Sequence, residues 1–400
     1  MLIEPRLRGF ICLTAHPVGC AENVKSQINY VQSKEPVNGP KRVLVIGAST
    51  GFGLASRITS AFSCKAATIG VYFEKAPEVG KTASAGWYNT AAFEQEAMKQ
   101  GLFAKSINGD AFSDEIKRET IALIKDTIGQ VDLIIYSLAS PKRVHPKTGI
   151  IHNSVLKPIG EEFHSKTVDF HSGKVSEVAI KPASESDIEN TTAVMGGEDW
   201  NMWITALKDA GALANDVVTV AYSYIGPELT KKIYREGTIG KAKDHLENTV
   251  TEINKTLDSL NGNAYVSVNK ALVTQASSAI PVVPLYMALL FKIMKAKGTH
   301  EGCIEQIYRL FAQRLYQQNS VPLDNGGRIR IDDWEMSEEV QQEVASLWDK
   351  ADTETLPQLG DLAGYRADFL NLFGFHVPGV DYNKDVNEMV DIPGLVSQRN

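Results

Sequence analysis

The chain has 400 residues, 43% hydrophobic and 22% charged, a balance that excludes wholesale disorder and fibrous structure and supports a sizeable core. Its 41 Lys+Arg against 48 Asp+Glu give a net charge of −7, which argues against nucleic-acid binding through net basicity. Cys12, Cys20, Cys64 and Cys303 form no C-x-x-C pair and show no zinc spacing, so a reduced, cytoplasmic protein without metal is expected.

In chain order, residues 1–40 read as irregular around one helix from Glu22 to Gln32. Met1–Cys20 carries Glu4, Arg6, Arg8 and Pro17 and does not read as a signal peptide. Arg42–Ile46 is a β-branched run, Gly47 to Gly53 a glycine-rich turn, and Leu54–Phe62 has helical spacing. Strands are predicted at Thr68–Phe73, Leu102–Ile107 and Val131–Ser137, with helices at Trp87–Gly101 and Ser113–Ile128, the latter capped by Ser113. Four strand–helix alternations in about 100 residues predict an α/β fold, a Rossmann-like doubly wound parallel sheet flanked by helices. From Pro141 to Ser184, Val155–Ile159, Thr167–Phe170 and Val175–Ile180 alternate, predicting a small antiparallel hairpin insertion. A helix at Asp199–Ala210, a strand at Val217–Tyr224, a long helix near Thr238–Leu260 and a strand at Ala264–Val273 follow. The apolar stretch from Ala279 to Ile293 ends at Lys292, Lys295 and Lys297, too short to span a bilayer. It reads as a buried or lid-forming helix, and no stable membrane insertion is expected. The remainder to Phe373 reads as a helical C-terminal elaboration with a Pro- and Gly-marked tail. A single domain over 1–400 is expected, with a core at about 41–300, the hairpin unit at about 150–184 and the extension from about 300.

The turn Gly47-Ala48-Ser49-Thr50-Gly51-Phe52-Gly53 spells G-x-x-x-G-x-G between a strand and a helix. Glycine permits positive φ and lets backbone N–H groups approach a pyrophosphate at the helix N-terminus. Glu74, ending the next strand, can accept hydrogen bonds from ribose hydroxyls and repel a 2′-phosphate, which favours NADH over NADPH. Asp110, in Asn108-Gly109-Asp110-Ala111, can meet an adenine amino group, and Ser137-Leu138-Ala139 ends the fourth strand at the crevice. A nicotinamide enzyme of this architecture uses a tyrosine acid with a lysine nearby. Among 13 tyrosines, Tyr-x3-Lys occurs once, at Tyr30 and Lys34, before the first core strand and best taken as a solvated pair. Tyr224 precedes Lys231 by seven residues, and Tyr234 precedes Lys241 by seven and Lys243 by nine. At about 100° per residue, nine residues would put Tyr234 opposite Lys243 on a straight helix. Tyr234 must therefore precede the helix, in a loop ending at Gly237-Thr238 with Thr238 as N-cap. Spacing alone does not choose among these partners. Trp200 and Trp203 are expected in the core, and His16 and His300 are expected to be structural. Ala279–Met287 suits an apolar slot for an acyl tail or ordinary core packing.

Several blocks together carry a resemblance: Arg8-Gly9-Phe10, Thr14-Ala15-His16-Pro17, the Gly47–Gly53 loop, Ser106-Ile107-Asn108-Gly109-Asp110-Ala111, Met195-Gly196-Gly197-Glu198-Asp199-Trp200 and Thr274-Gln275-Ala276-Ser277-Ser278-Ala279-Ile280-Pro281. They resemble, almost end to end, the FabV-type enoyl-ACP reductases and their relatives the trans-2-enoyl-CoA reductases. The resemblance implies NADH-dependent reduction of the carbon–carbon double bond of enoyl thioesters in fatty acid biosynthesis. It implies Tyr234 as proton donor, Lys243 as ligand of the cofactor ribose, and Tyr224 as a substrate contact. Whether Tyr234 or Tyr224 delivers the proton stays open. It places the cofactor on Gly47, Ala48, Ser49, Thr50, Gly51, Phe52, Phe73, Glu74, Asp110, Ala111, Leu138, Ala139, Leu272, Val273 and Thr274. A monomer is implied, with acyl carrier protein as a partner for which Lys142, Arg143 and Lys147 offer a basic patch. A carbonyl reductase of the same superfamily and a non-catalytic dinucleotide sensor are the alternatives.

Overall fold

The computed structural model describes residues 1–9, 11–317 and 320–398; Phe10 of the Arg8-Gly9-Phe10 block lies outside the described residues. Eight strands form one sheet: β1 (Arg42–Ile46), β2 (Ala67–Tyr72), β3 (Ala104–Asn108), β4 (Val131–Tyr136), β5 (Leu213–Ser223), β6 (Asn263–Val268), β7 (Ile329–Arg330) and β8 (Leu395–Gln398). Their spatial order is β7-β6-β5-β4-β1-β2-β3-β8, and every pairing is parallel. The chain builds outward from β1 through β3, then returns to lay β4 beside β1. That reversal opens a crevice at the carboxyl ends of the strands, where open α/β sheets bind ligands.

The central strands β1, β2 and β4 are buried on both faces, which is why they read as nearly continuous apolar runs. Val43 and Val45 of β1 join one core with α1 (Pro17–Gln32), α2 (Gly51–Ile58) and α3 (Ala85–Lys99). Leu44 and Ile46 join the other, with α4 (Asp114–Thr127), α5 (Glu185–Met195) lying outside it, and α6 (Glu198–Asp209) and α7 (Thr238–Leu257) packed in. Trp200 and Trp203 are fully buried there, as expected; their indole N–H groups donate to Thr219 and to the Ala111 carbonyl. Ser113 caps α4 as predicted, accepting from the Ile116 N–H at 3.1 Å.

Several expectations need correction. The insertion hairpin pairs Phe163–Val168 with Val175–Ile180, turning at Gly173 with φ +82°, whereas 155–159 forms no strand. A second hairpin, Lys142–Val144 with Ile151–Asn153, was not expected, nor was α5. The α5 signal was present in Ser184-x-x-Asp187, which closes a reciprocal capping box. Thr238 does not cap α7. Gly237 does, because the Thr238 hydroxyl is occupied outside the helix, donating to the Val155 carbonyl at 2.5 Å. The first helix begins at Pro17 rather than Glu22, with His16 as N-cap accepting from the Gly19 N–H.

The C-terminal third follows as α8 (Val283–Lys297), α9 (Cys303–Leu310), α10 (Glu338–Lys350) and α11 (Leu362–Asn371). Val282, Leu285, Tyr286 and Met287 are fully buried in the core, so the apolar stretch is mostly packing, with Ile280 left half-exposed before the helix. The tail adds β8 beside β3, unexpected from its Pro and Gly content. It is tied to α3 through Trp87 Nε1 to the Val390 carbonyl, Tyr88 to the Glu388 carbonyl, and Gly394 N–H to Glu94. Glu94 also pairs with Arg57 at 3.1 Å, both fully buried. Among the described residues no helix is long and apolar enough to cross a membrane.

Candidate active site

The glycine-rich loop leaves β1 with the N–H groups of Gly47 and Ala48 bonded to the Val71 carbonyl at 2.8 and 3.1 Å. Gly47 has φ +86°, and a Cβ there would overlap the Ser137 carbonyl at the end of β4. A Cβ on Gly53 would overlap the Gly47 carbonyl. Both positions therefore require glycine, which lets α2 start close against the loop. The first N–H of this helix to find a backbone partner is that of Leu54, and no side chain caps the N-terminus. The N–H groups ahead of Leu54, with the positive end of the helix dipole, suit a pyrophosphate.

Glu74 follows β2. Its backbone is clamped by the Asn108 amide, which accepts from the Glu74 N–H at 2.7 Å and donates to its carbonyl at 2.8 Å. Its carboxylate accepts from Ser49 of the loop at 2.6 Å and from Ser84, just before α3, at 2.5 Å. A Cβ on Gly86 would overlap that carboxylate, so glycine allows α3 to begin against it. Burial raises the carboxyl's pKa, and the two hydroxyls pull it back. Phe73 beside it is exposed. Asp110 follows β3 and accepts from the Phe112 N–H, next to buried Ala111. Leu138 and Ala139 form the rim after β4. Leu272, Val273 and Thr274 follow β6, where Thr274 and Ser277 exchange side-chain-to-backbone bonds at 2.8 and 3.0 Å. All the predicted cofactor segments thus stand at carboxyl ends of parallel strands along one edge.

The tyrosines and the lysine meet at the end of β5. Tyr234 lies in the turn before α7, its carbonyl accepting from the N–H groups of Gly237 and Gly240. Lys243, in the second turn of α7, is buried at 8% exposure and donates to the Tyr222 carbonyl at 3.1 Å. Burial lowers its pKa to about 8, against a weaker upward pull from Glu247. The Tyr234 ring stands edge-on to Tyr224, with centroids 5.0 Å apart. The two phenols differ sharply. That of Tyr224 donates to Glu335 at 3.0 Å, while that of Tyr234 has no hydrogen-bond partner among the described residues. Burial pushes Tyr234 up to about 12, so it holds its proton at neutral pH. Lys34 instead lies over the ring of Tyr30, with its ammonium 4.9 Å from the centroid, and joins none of these segments.

Sequence reasoning missed Glu335, which lies 111 positions from Tyr224. Nothing in Asp332-Asp333-Trp334-Glu335 marks Glu335 out from the other acids, of which Asp332 is buried too but paired with Arg330. It also missed the hydroxyl contact of Tyr222 with Ser56 at 2.5 Å, which ties β5 to α2. The basic patch is largely neutralised: Arg143 is buried against Glu198, and Lys147 pairs with Asp114, each at 2.6 Å. His16 and His300 are both set in aromatic surroundings, on Phe375 and Tyr382 and on Phe291 respectively.

Comparison with known proteins bears directly on these segments. Residues 81–316 match the trans-2-enoyl-CoA reductase catalytic region, and residues 2–79 match the NAD(P)H binding domain of trans-2-enoyl-CoA reductase. The chain belongs to the trans-2-enoyl-CoA reductase family. An enoyl-[acyl-carrier-protein] reductase [NADH] of Flavobacterium johnsoniae is 70% identical over 99% of this chain and 100% of its own length. A trans-2-enoyl-CoA reductase [NADH] of Ruminiclostridium cellulolyticum is 59% identical, with the same coverage. The crystal structure of Treponema denticola trans-2-enoyl-CoA reductase in complex with NAD superposes with a TM-score of 0.94 at 52% identity, covering 96% of this chain and 98% of that one. The fold and nicotinamide cofactor expected from the sequence are those of this reductase family.

Residues 323–386 match a further family model, described as an enoyl reductase FAD binding domain. These residues supply β7, two residues long at the sheet edge, with α10 and α11. Val340, Val344, Trp348, Tyr365 and Phe369 are buried in the common core, and the segment holds no strand–glycine turn–helix unit of its own. It does not fit a flavin, whereas the uncapped α2 N-terminus and the glycine loop fit a nicotinamide dinucleotide.

Proposed function

We propose that this protein reduces the trans-2 double bond of enoyl thioesters with NADH, as part of fatty acid synthesis. The carrying observation is the Tyr234 phenol, without a hydrogen-bond partner among the described residues, beside the same strand end that the buried ammonium of Lys243 contacts. The reductase relatives named above support the substrate class. Bound NADH supplies the hydride that reaches C3 of the substrate. The N–H groups ahead of Leu54 hold the pyrophosphate, Glu74 takes the adenine-side ribose hydroxyls, and Asp110 the adenine amino group. Lys243 holds the nicotinamide ribose. As C3 gains hydride, negative charge develops on the thioester oxygen, forming an enolate. Tyr234 donates to that oxygen, stabilising the transition state more than the ground state. Lys243 orients the ribose and favours proton loss from the phenol.

Acyl carrier protein is proposed as a natural carrier of the acyl group, with the cytoplasm as the site of action and a monomer as the working form. Residues 1–400 are read as one elaborated domain, a view supported by a single sheet that takes strands from residue 42 to residue 398.

The test is turnover of crotonyl-CoA with NADH, followed at the nicotinamide band. Oxidation should require the enoyl thioester, prefer NADH to NADPH, and fall about 10²–10³-fold in kcat in Tyr234→Phe. Turnover of a β-ketoacyl thioester alone would assign a carbonyl reductase instead. Cofactor binding without turnover of either thioester would assign a sensor.

A further inference from the structure

Glu335 is fully buried, and two of the three hydrogen bonds its carboxylate accepts come from segments of the site. One carboxylate oxygen accepts from Tyr224 at 3.0 Å and from Tyr286 of α8 at 2.7 Å. The other accepts from the Ala271 N–H at 2.7 Å, in the segment leading to Leu272–Thr274. Gln341 of α10 braces the arrangement, donating to the Tyr286 hydroxyl at 3.1 Å and to the Glu335 carbonyl at 2.7 Å. The charged and titratable groups around it are Lys270, Asp332, Tyr224 and Tyr286. Lys270 is itself buried, donating to the Ala271 carbonyl with its ammonium 4.6 Å from the centre of the Phe291 ring.

A phenol has one hydroxyl hydrogen to donate. While Tyr224 gives it to Glu335, it can offer the cleft only oxygen lone pairs and its ring edge. Tyr234 packs on that ring and keeps its own hydrogen unengaged. We infer that Glu335 is a positioning residue: it turns the Tyr224 hydroxyl hydrogen away from the cleft and fixes the ring against which Tyr234 is held, leaving Tyr234 as the single phenol that donates to the substrate oxygen. Its consequence for turnover presupposes the enoyl-thioester reduction proposed above.

Glu335→Gln is nearly isosteric. The Ala271 N–H selects the amide oxygen, which turns the amide NH₂ toward the two phenols. Tyr224 then becomes an acceptor, and its hydrogen is free to swing into the cleft. Two readouts are taken on the full-length protein. The first is steady-state kinetics with crotonyl-CoA and NADH. In Glu335→Gln, kcat should fall at least tenfold with KM for NADH within twofold. Adding Glu335→Gln to Tyr224→Phe should lower kcat less than twofold further. The second is NMR of protein carrying ¹³Cζ-tyrosine, with the Tyr224 resonance assigned by its loss in Tyr224→Phe. That resonance should shift on Glu335→Gln and begin to titrate at lower pH, since the neighbouring negative charge is gone. Glu335→Asp keeps the charge in the same hole with a retracted carboxylate, and it should move both readouts in the same direction by less. This variant decides the matter where Glu335→Gln does not fold.

An unmoved Tyr224 resonance, or independent losses in the double variant, overturns the inference. A wild-type protein that turns over no enoyl thioester overturns the proposed function instead, and the NMR readout still tests the Glu335–Tyr224 contact.

Discussion

Lys243→Met should make the unliganded protein more stable while removing its ability to work. Burial brings the ammonium from an ordinary value of 10.5 down to about 8. At about 1.36 kcal/mol per unit, holding the charge in place at pH 7 destabilises the folded state by roughly 3 kcal/mol. Methionine fills similar space without charge. It leaves the Tyr222 carbonyl without its 3.1 Å donor, a loss of about 1 kcal/mol. The net gain is about 2 kcal/mol, or about 2 °C in Tm for a chain of this size, given an unfolding entropy of roughly 2.1 cal/mol/K per residue. The sign with pH follows from a folded-state pKa below the unfolded one. Between about 8 and 10.5 the unfolded chain binds more protons, so wild-type stability recovers as pH rises through that window. Thermal melts of both proteins without cofactor, at pH 7 and near pH 10, should show the variant ahead at the lower pH and the gap closing at the higher. NADH-dependent turnover should be lost throughout. A variant that melts below wild type at pH 7, or a gap indifferent to pH, would refute a charged lysine held in a desolvated site for its function.

Two further outcomes are expected. Gly53→Ala sets a methyl against the Gly47 carbonyl, so the phosphate loop must move; NADH affinity by calorimetry should weaken at least tenfold, and an unchanged Kd would refute the loop's role. Glu94→Ala strands the buried Arg57 guanidinium and frees the Gly394 N–H, which should destabilise by about 3–5 kcal/mol in urea titration. A loss under about 1 kcal/mol would mean that Arg57 finds water or another partner.

Strands β1, β2 and β4 were legible because burial on both faces demands nearly continuous apolar runs, and such runs stand out between turns. The cofactor edge was legible for a related reason: a parallel sheet delivers the residue after each strand to the same side, so Gly47, Glu74, Asp110 and Leu138 could be placed from order alone. Position in the chain could not reveal Glu335, because its meaning comes from burial beside Tyr224, just after β5, and Tyr286 of α8. Strand β8 was missed because four residues at a sheet edge need little intrinsic preference once Glu94, Trp87 and Tyr88 hold the chain before them. Thr238 met the composition rule for a helix cap, yet a tertiary acceptor at Val155 competed for its hydroxyl. Spacing left the choice among Lys231, Lys241 and Lys243 open. Burial distinguishes them, since Lys231 and Lys241 form ion pairs on exposed side chains while Lys243 points inward.

Glu74 has a consequence for anyone wishing to re-engineer the dinucleotide preference. The carboxylate proposed to discriminate against a 2′-phosphate is also the joint between the loop, through Ser49, and the start of α3, through Ser84 and the close approach at Gly86. Exchanging it for a small neutral or basic side chain would remove the repulsion and unfasten that joint in one stroke. A switch to the phosphorylated dinucleotide therefore calls for a coordinated redesign of positions 49, 74, 84 and 86.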